Sequence, residues 1–339
     1  MKRYLSLLLI LAFVLPGYAG DVSRKGTTGA DQLLIPVGAR GIATGGALLS
    51  GVTGMESIFY NPAGLDIDRK TEAMFSYMSY IADINISYFA AGTSLGDFGS
   101  VALSFKSMNF GDIPITTITN PDGDGTTYSP GFVVAGLTYS KVITDRVSIG
   151  FNAKVISETI MNTSATGFAL DFGVQYRFNQ NLSIGASVKN IGTNMQYTGQ
   201  DLQFKTVVPG TVPGSTKGNY EAVTEPFQIP SFFELSLAYK FDFDKQNKLE
   251  LGGTFVNNNA FEDQFKFGAE YSFNNLFFVR AGYGLQSANN NDNIYGVTLG
   301  AGVNYNLSND IGVVVDYAFR QIKEFPNPNH IVTVKLAFK

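Results

Sequence analysis

The chain has 339 residues, of which 15% are charged and 45% hydrophobic, and its formal net charge is only -4. So small a charge balance argues against nucleic acid as a partner. The absence of cysteine excludes a disulfide framework and a lipid-modified cysteine. Glycine, phenylalanine and tyrosine are abundant, which favours pleated strands with aromatic anchors over helices.

Residues 1–19 have the pattern of a secretory signal peptide. Lys2 and Arg3 precede an apolar stretch from Leu5 to Leu15, and small residues follow up to Ala19. The apolar stretch is about half as long as the roughly twenty residues that a membrane helix requires, so we expect cleavage rather than anchoring. The mature protein is therefore predicted to begin near Gly20 and to be exported.

Residues 20–70 show no alternation of apolar and polar positions and are rich in glycine and other small residues. Small side chains make a poor lipid-facing wall but pack well in a narrow space. This segment is therefore predicted to form a hatch, or plug, inside the lumen of a barrel.

From residue 71 to 339 the sequence falls into segments of roughly ten residues in which apolar and polar positions alternate. In one of them Phe233, Leu235 and Leu237 alternate with Glu234 and Ser236. The predicted strands lie near residues 72–80, 85–94, 99–108, 131–142, 147–157, 164–177, 182–190, 231–241, 247–256, 263–273, 276–285, 294–305, 311–320 and 329–339. The fold class is therefore all-β, a transmembrane antiparallel β-barrel of about 14 strands with an N-terminal lumenal hatch.

The connections between these strands predict the orientation of the barrel. Every second connection is short, whereas those between them include Asn109–Pro130 and Ile191–Pro230. Short turns face the periplasm in such barrels and long loops face outward. Five tyrosines precede short turns and predict an aromatic girdle: Tyr139, Tyr176, Tyr239, Tyr271 and Tyr305.

The last strand supports the same location. Its outward face would be Val332, Val334, Leu336 and Phe338, and it nearly ends on an aromatic residue. Barrels inserted by the outer-membrane assembly machinery typically end in this way. The sequence therefore predicts an outer-membrane protein of a Gram-negative-type bacterium, with membrane lipid as its surroundings.

The residues of common enzyme chemistry are scarce, and no enzymatic activity, metal or cofactor is predicted. His330 is the single histidine, although nucleophilic catalysis normally needs a base of this kind beside the nucleophile. Asn120–Gly125 resembles the start of a calcium loop, but Gly131 stands where the bidentate glutamate belongs. We interpret this loop as an exposed turn.

Inward positions of the predicted strands carry charges of both signs. An ion path and a network of ion pairs that fills the lumen both fit this pattern, and the second is favoured because buried charges need partners. The residues are Lys154, Asp171, Arg177, Lys189, Glu234, Lys240, Glu250, Lys266, Glu270, Arg280, Asp316, Arg320 and Lys335.

Residues 37–65 carry two motifs, a glycine-rich stretch with Gly-Ala-Arg and, after an aromatic pair, Asn-Pro-Ala-Gly-Leu. The motif residues are Gly38, Ala39, Arg40, Gly45, Gly46, Asn61, Pro62, Ala63, Gly64 and Leu65. Here the sequence resembles the PorV/PorQ family, which belongs with the FadL-type fatty-acid transporters of the outer membrane. The rest of the chain resembles this family only through strand count and pattern.

The resemblance implies a fourteen-stranded barrel whose hatch contains Asn61, Pro62 and Ala63. Because Pro62 fixes φ and restricts the residue before it, a structural turn explains this motif without a ligand, and direct ligand contact is the alternative. Likeness to PorV implies docking or shuttling of secreted cargo proteins in type IX secretion. Likeness to FadL implies transport of hydrophobic small molecules instead. The loop Ile191–Pro230, with Val207, Val208, Val212 and Phe227, suits either role.

Overall fold

The computed structural model of the protein describes residues 26–212, 214–287, 293–308 and 310–338. The predicted signal peptide lies outside these residues. None of the helices in the described ranges is both long and apolar enough to span a membrane.

Fourteen antiparallel strands form one closed sheet. They are β1 (Thr71–Ser79), β2 (Asn85–Ser94), β3 (Ser100–Asn109), β4 (Gly131–Val142), β5 (Val147–Ile160), β6 (Thr163–Arg177), β7 (Leu182–Gly192), β8 (Phe232–Asp242), β9 (Asn247–Asn258), β10 (Gln264–Phe273), β11 (Phe277–Gln286), β12 (Tyr295–Asn306), β13 (Ile311–Ile322) and β14 (Asn329–Phe338). Each strand pairs with its sequence neighbours, and β1 pairs with β14 to close the wall. The predicted barrel and its strand count are confirmed.

The two faces of each strand differ as the alternation predicts. On β6, Phe168 and Phe172 are exposed on the outer face, whereas Asp171 and Gln175 are buried on the inner one. On β8, Glu234 is likewise buried and inward. The apolar side chains thus face the lipid, and the polar side chains face the lumen, where they find hydrogen-bond partners.

The two ends of the barrel differ in the length of their connections. One end has short turns such as residues 143–146 and 178–181, and the chain reaches Phe338 at this end. The other end carries residues 110–130 and 193–231. We call these the periplasmic end and the outer mouth, following the rule that short turns face the periplasm.

The regular pairing breaks once between β6 and β7, between Leu170 and Phe172. Asn190 has a φ of 59°, which asparagine tolerates better than most residues. Its backbone N–H donates to Oδ1 of Asp171 at 2.8 Å, and its side chain donates to the carbonyl of Pro230 at 2.9 Å. Above this bulge the chain leaves the wall and enters the long loop 193–231.

Candidate functional site

Residues 26–70, here called the lumen segment, run inside the barrel along its whole height. At the outer mouth the N–H of Gly29 donates to the carbonyl of Gln228 at 3.0 Å. At the periplasmic end the segment continues into Thr71, which pairs with Phe338. Most residues between Ala30 and Asp66 are buried, and their hydrophobic clusters include inward residues of the wall.

A short helix, α1 (Ala39–Ala43), packs against the inner faces of β11–β14. The N–H of Ala39 donates to Oγ1 of Thr333 at 2.8 Å, and the carbonyl of Ala43 accepts from Oγ1 of Thr298 at 2.9 Å. Gly38 is the N-cap residue of this helix; its φ is 82°, and a Cβ there would lie 2.6 Å from Oε1 of Glu56. Position 38 therefore requires glycine on both backbone and steric grounds.

Arg40 projects from α1 onto β10. Its Nε lies 2.7 Å and its terminal nitrogen 3.1 Å from the two carboxylate oxygens of Glu270, a bidentate pair. The same guanidinium lies 3.9 Å from Glu250 on β9. Planar bidentate pairing of this kind is a property of arginine that lysine lacks.

The contacts of Arg40 belong to a longer chain of ion pairs with alternating sign. Arg280 bridges Glu270 and Asp316, and Lys335 then bridges Asp316 and Glu56, the latter at 3.3 Å. In order, the seven groups are Glu250, Arg40, Glu270, Arg280, Asp316, Lys335 and Glu56. We call this the ion chain. The lumen segment supplies Arg40 and Glu56, so the inward charges of the wall are paired partly by the segment that they enclose.

The second motif lies against the opposite wall, at β4–β7. Asn61 is fully buried, and its Nδ2 donates to the carbonyl of Val174 at 3.1 Å while its Oδ1 accepts from the N–H of Ala63 at 3.2 Å. Pro62 opens the one-turn 3₁₀ helix Pro62–Gly64, and the carbonyl of Ala63 accepts from Oγ of Ser140 at 3.0 Å. The geometry is that of a structural turn bonded to the wall.

Inward glycines of the wall make room for this turn. A Cβ at Gly173 would lie 2.8 Å from Cδ of Pro62, and one at Gly150 would lie 2.6 Å from the N of Ala63. The glycine motif is accommodated in the same way, since a Cβ at Gly268 would lie 3.0 Å from Cβ of Ala47. Sequence analysis missed these glycines, although a glycine inside a strand is a known sign of close backbone approach.

The remaining motif residues also have structural surroundings. Gly45 and Gly46 have φ values of 65° and 72°, and a Cβ at Gly45 would lie 3.2 Å from the backbone N of Tyr283. Gly64 lies against Ser57, and Leu65 is buried in an apolar cluster of the lumen. The structure thus brings the first motif to the β9–β14 side and the second to the β4–β7 side.

Lysines dominate the β3–β8 side of the lumen. Lys189 lies 2.7 Å from Glu234, and Lys154 lies 2.6 Å from Asp171. Lys106, which sequence analysis did not single out, donates to the carbonyl of Gln32 at 2.6 Å and lies 5.4 Å from the ring centroid of Phe59. Lys106 thus meets backbone carbonyls and an aromatic ring of the lumen segment, whereas the buried carboxylate of Asp66 accepts from Oγ of Ser100 at 2.6 Å and from the N–H of Val142 at 2.9 Å.

A cavity of about 40 Å³ lies between the lumen segment and the wall, and one of about 10 Å³ lies within the lumen segment, lined by Arg40, Glu56 and Tyr60 among others. The larger one is lined by Phe59, Lys106 and Asp171 among others. A water molecule requires roughly 10–15 Å³ of such volume, so these cavities suit water rather than a lipid-sized ligand. A hollow of about 840 Å³ lies on the outer face instead, lined by Leu103, Leu137, Val155, Phe168 and Leu170 among others.

The two other candidates of the sequence lie away from the lumen. Nδ1 of His330 lies 2.7 Å from the hydroxyl of Tyr317 at the outer end of β14. In the loop Asn120–Gly125, Nδ2 of Asn120 donates to the carbonyl of Gly123 at 2.9 Å, as in a turn. The described ranges contain no group of three or more His, Cys, Asp or Glu that could hold a metal ion.

The closed wall, its outer apolar face and its occupied lumen define an outer-membrane β-barrel. The chain belongs to the family of type IX secretion system membrane proteins PorP/SprF, whose model matches residues 128–336. That match begins after the motifs of residues 37–65, so it does not carry the predicted likeness to PorV/PorQ. No curated protein sequence matches the chain.

Solved structures share the architecture at low sequence identity. The toluene transporter TodX of P. putida has a TM-score of 0.57 at 13% identity, and the CymD monoaromatic hydrocarbon channel has 0.56 at 12%. A FadL homologue of Pseudomonas aeruginosa has a TM-score of 0.53 at 11% identity. Each alignment covers 90% of this chain and 98% of the other structure. At these identities the likeness concerns the fold alone.

Proposed function

We propose that this barrel docks secreted cargo proteins at the outer mouth during type IX secretion, as the predicted likeness to PorV/PorQ implies. The observation that carries the proposal is the occupied lumen, in which the lumen segment is bonded to opposite walls and ties to loop 193–231. A barrel filled in this way offers its outer loops as a binding surface, and its membership of a type IX secretion family points to exported proteins as ligands.

Docking also agrees with how the lumen segment meets the loop. Phe227 of the loop exchanges two backbone hydrogen bonds with Met195, at 2.9 and 2.8 Å, and its ring covers Gly29. These bonds hold the two ends of the loop together, and Met195 packs against Val134 and Ile156 of the wall, so the loop contacts both the wall and the lumen segment. A cargo protein bound there would meet a preorganised surface, which lowers the entropy lost on binding.

The alternative function is passage of hydrophobic small molecules. Two features support it: the architecture shared with the toluene transporter TodX and the CymD monoaromatic hydrocarbon channel, and the apolar hollow of about 840 Å³ on the outer face. In this alternative the lumen segment acts as a hatch and must move, because the cavities of about 40 and 10 Å³ in the lumen admit no such molecule.

Deletion of the gene separates the two functions. Docking predicts that exported proteins fall in abundance at the cell surface and rise in the medium, as measured by quantitative proteomics of intact cells, while uptake of radiolabelled toluene and oleate is unchanged. Transport predicts instead that uptake of toluene and oleate falls while the surface proteome is unchanged. Complementation with the wild-type gene is the control, and an unchanged surface proteome in the deletion strain would refute the docking proposal.

A further inference from the structure

Loop 193–231 contains a β-hairpin that is separate from the barrel wall. Its strands, Gln203–Val207 and Lys217–Glu221, pair through five residue pairs and form a two-stranded sheet of their own. Among the described residues each strand has this single neighbour, so both outer backbone edges lack a sheet partner. We call this element the outer hairpin.

The two faces of the outer hairpin differ in polarity. On one face the rings of Phe204 and Tyr220 stack with centroids 6.1 Å apart, and Val208 lies against Gly218. The other face carries the pair Gln203 and Glu221. Phe204 is 51% exposed and Tyr220 is half-buried, so part of the apolar face is open to a partner. A two-stranded hairpin alone is marginally stable in water, and a third strand would add both hydrogen bonds and apolar cover.

The base of the outer hairpin is held in a defined place. Both Asp201 carboxylate oxygens accept hydrogen bonds from Asn162, one from its N–H and one from its Nδ2, each at 2.9 Å. The N–H of Ala222 donates to the carbonyl of Leu202 at 2.8 Å. The hairpin is thus attached to the β5–β6 connection, and an incoming strand would not have to order its base first.

We propose that the outer hairpin binds an extended segment of an exported protein by β-strand addition. Unpaired backbone N–H and C=O groups are satisfied by another extended backbone, which an acyl chain cannot replace, so the occupant is a polypeptide. The apolar face selects a strand whose alternate side chains are apolar and lie over Phe204 and Tyr220. The inference rests on the proposed docking function and names the site at which docking occurs.

The test compares two double variants that differ only in the face they alter. Phe204→Ser with Tyr220→Ser removes the apolar face, whereas Gln203→Ser with Glu221→Ser alters the polar face at the adjacent pair. The surface amount of exported protein should fall about tenfold or more in the first and less than about twofold in the second, since buried aromatic contacts dominate such interfaces. A difference in gel mobility between unboiled and boiled samples that equals that of the wild-type protein shows that the barrels of both variants are folded.

Because the chain has no cysteine, a photocrosslinker can be placed at a single site. Thr206→Cys, which lies on the apolar face and leaves both aromatic rings in place, should after labelling on intact cells with maleimide-benzophenone crosslink the same exported protein whose surface amount falls in the double variant. Gln203→Cys should crosslink it less. Crosslinks to lipopolysaccharide or to a second copy of this chain alone would overturn the inference. If gene deletion releases cargo but the apolar-face variant does not, the hairpin proposal fails and the docking function stands.

Discussion

The lumen segment is held at two opposite walls by contacts of different kinds. Toward β9–β14 it supplies Arg40 and Glu56 to the ion chain. Toward β5–β7 it is held by neutral hydrogen bonds of Asn61 and by hollows at Gly150 and Gly173. An unpaired buried charge is costly, whereas a hollow is sensitive to added volume. We therefore expect loss of a charge to release the lumen segment from β9–β14, and added side-chain volume to release it from the opposite wall.

The largest effect is expected from removing both contacts at once. Deletion of residues 20–65 should leave a barrel that conducts ions in planar bilayers, because a fourteen-stranded wall encloses more space than its own side chains fill. The full-length protein is the control and should be nearly closed. Equal conductance of the two proteins, or porin-like conductance of the full-length one, would refute the hatch proposal.

Breaking the ion chain should have the next largest effect. Arg40→Ala leaves Glu250 without its guanidinium and Glu270 with Arg280 as its remaining partner, and loss of one partner of a buried pair costs at most about 3–5 kcal/mol. When samples are heated in detergent before electrophoresis, the band of the folded barrel should disappear at a lower temperature than for the wild-type protein. As a control, Asp97→Ala breaks the exposed pair with Arg69, where an effect of less than about 1 kcal/mol is expected. Similar shifts in both variants would contradict this account.

A smaller effect should follow from added bulk at the opposite wall. Gly173→Ala places a methyl group against Asn61 and Pro62, and overpacking of this kind typically costs about 1–3 kcal/mol. Gly284→Ala is the matched control, because a Cβ on this strand glycine meets no atom within 4 Å. Hydrogen exchange measured by mass spectrometry should rise around residues 57–66 in the first variant and not in the second.

The strands of the wall could be predicted from the sequence because the alternation of apolar and polar residues is visible within each strand. Alternation at Phe168–Gln175 or Phe233–Leu237 needs no knowledge of any partner strand. The predicted bounds are close to the observed ones, although β5 continues to Ile160 and β7 to Gly192. Both extensions lie at the outer mouth: β7 runs up to the long loop 193–231, and β5 continues to a turn of residues 161–162 that joins it to β6.

The contacts of the lumen segment could not be predicted in the same way. Arg40 was a motif residue, but its partner Glu270 lies 230 positions later in the chain. The hollows that receive Asn61 and Pro62 come from glycines on different strands, which look like ordinary strand residues until the segment is in place. The outer hairpin could not be predicted either, because strands of five residues are too short to show a clear alternation of apolar and polar positions.

The smallest effect concerns the base of the outer hairpin. Hydrogen bonds from Asn162 hold the pKa of Asp201 below its ordinary value of about 3.9. Because that pKa is lowered on folding, the stabilisation is fully present above about pH 3.9 and is lost as the pH falls through the lower folded value. Proteolytic cleavage of loop 193–231 should therefore increase only at acid pH.

Variants of this site distinguish loss of the hydrogen bonds between Asn162 and Asp201 from a general effect of acid. Asp201→Ala should make the loop equally sensitive to protease from pH 3 to pH 7. Asp124→Ala in the other long loop removes a carboxylate that accepts from Thr126 and should leave cleavage of loop 193–231 unchanged. A pH dependence that persists in Asp201→Ala would assign the effect to another group.

The closure of the wall has a consequence for the order of assembly. The seam between β1 and β14 joins Thr71 to Phe338, so it forms only when the whole chain has left the inner membrane. The segment just ahead of Thr71 already reaches the outer mouth, where Gly29 meets Gln228. Because a contact between residues so far apart in sequence has a high loop-closure cost, we expect the seam to form late and the lumen segment to pack while the sheet is still open. Slowing seam closure should therefore lengthen the time available for packing the lumen segment, rather than leave an empty barrel waiting to be filled.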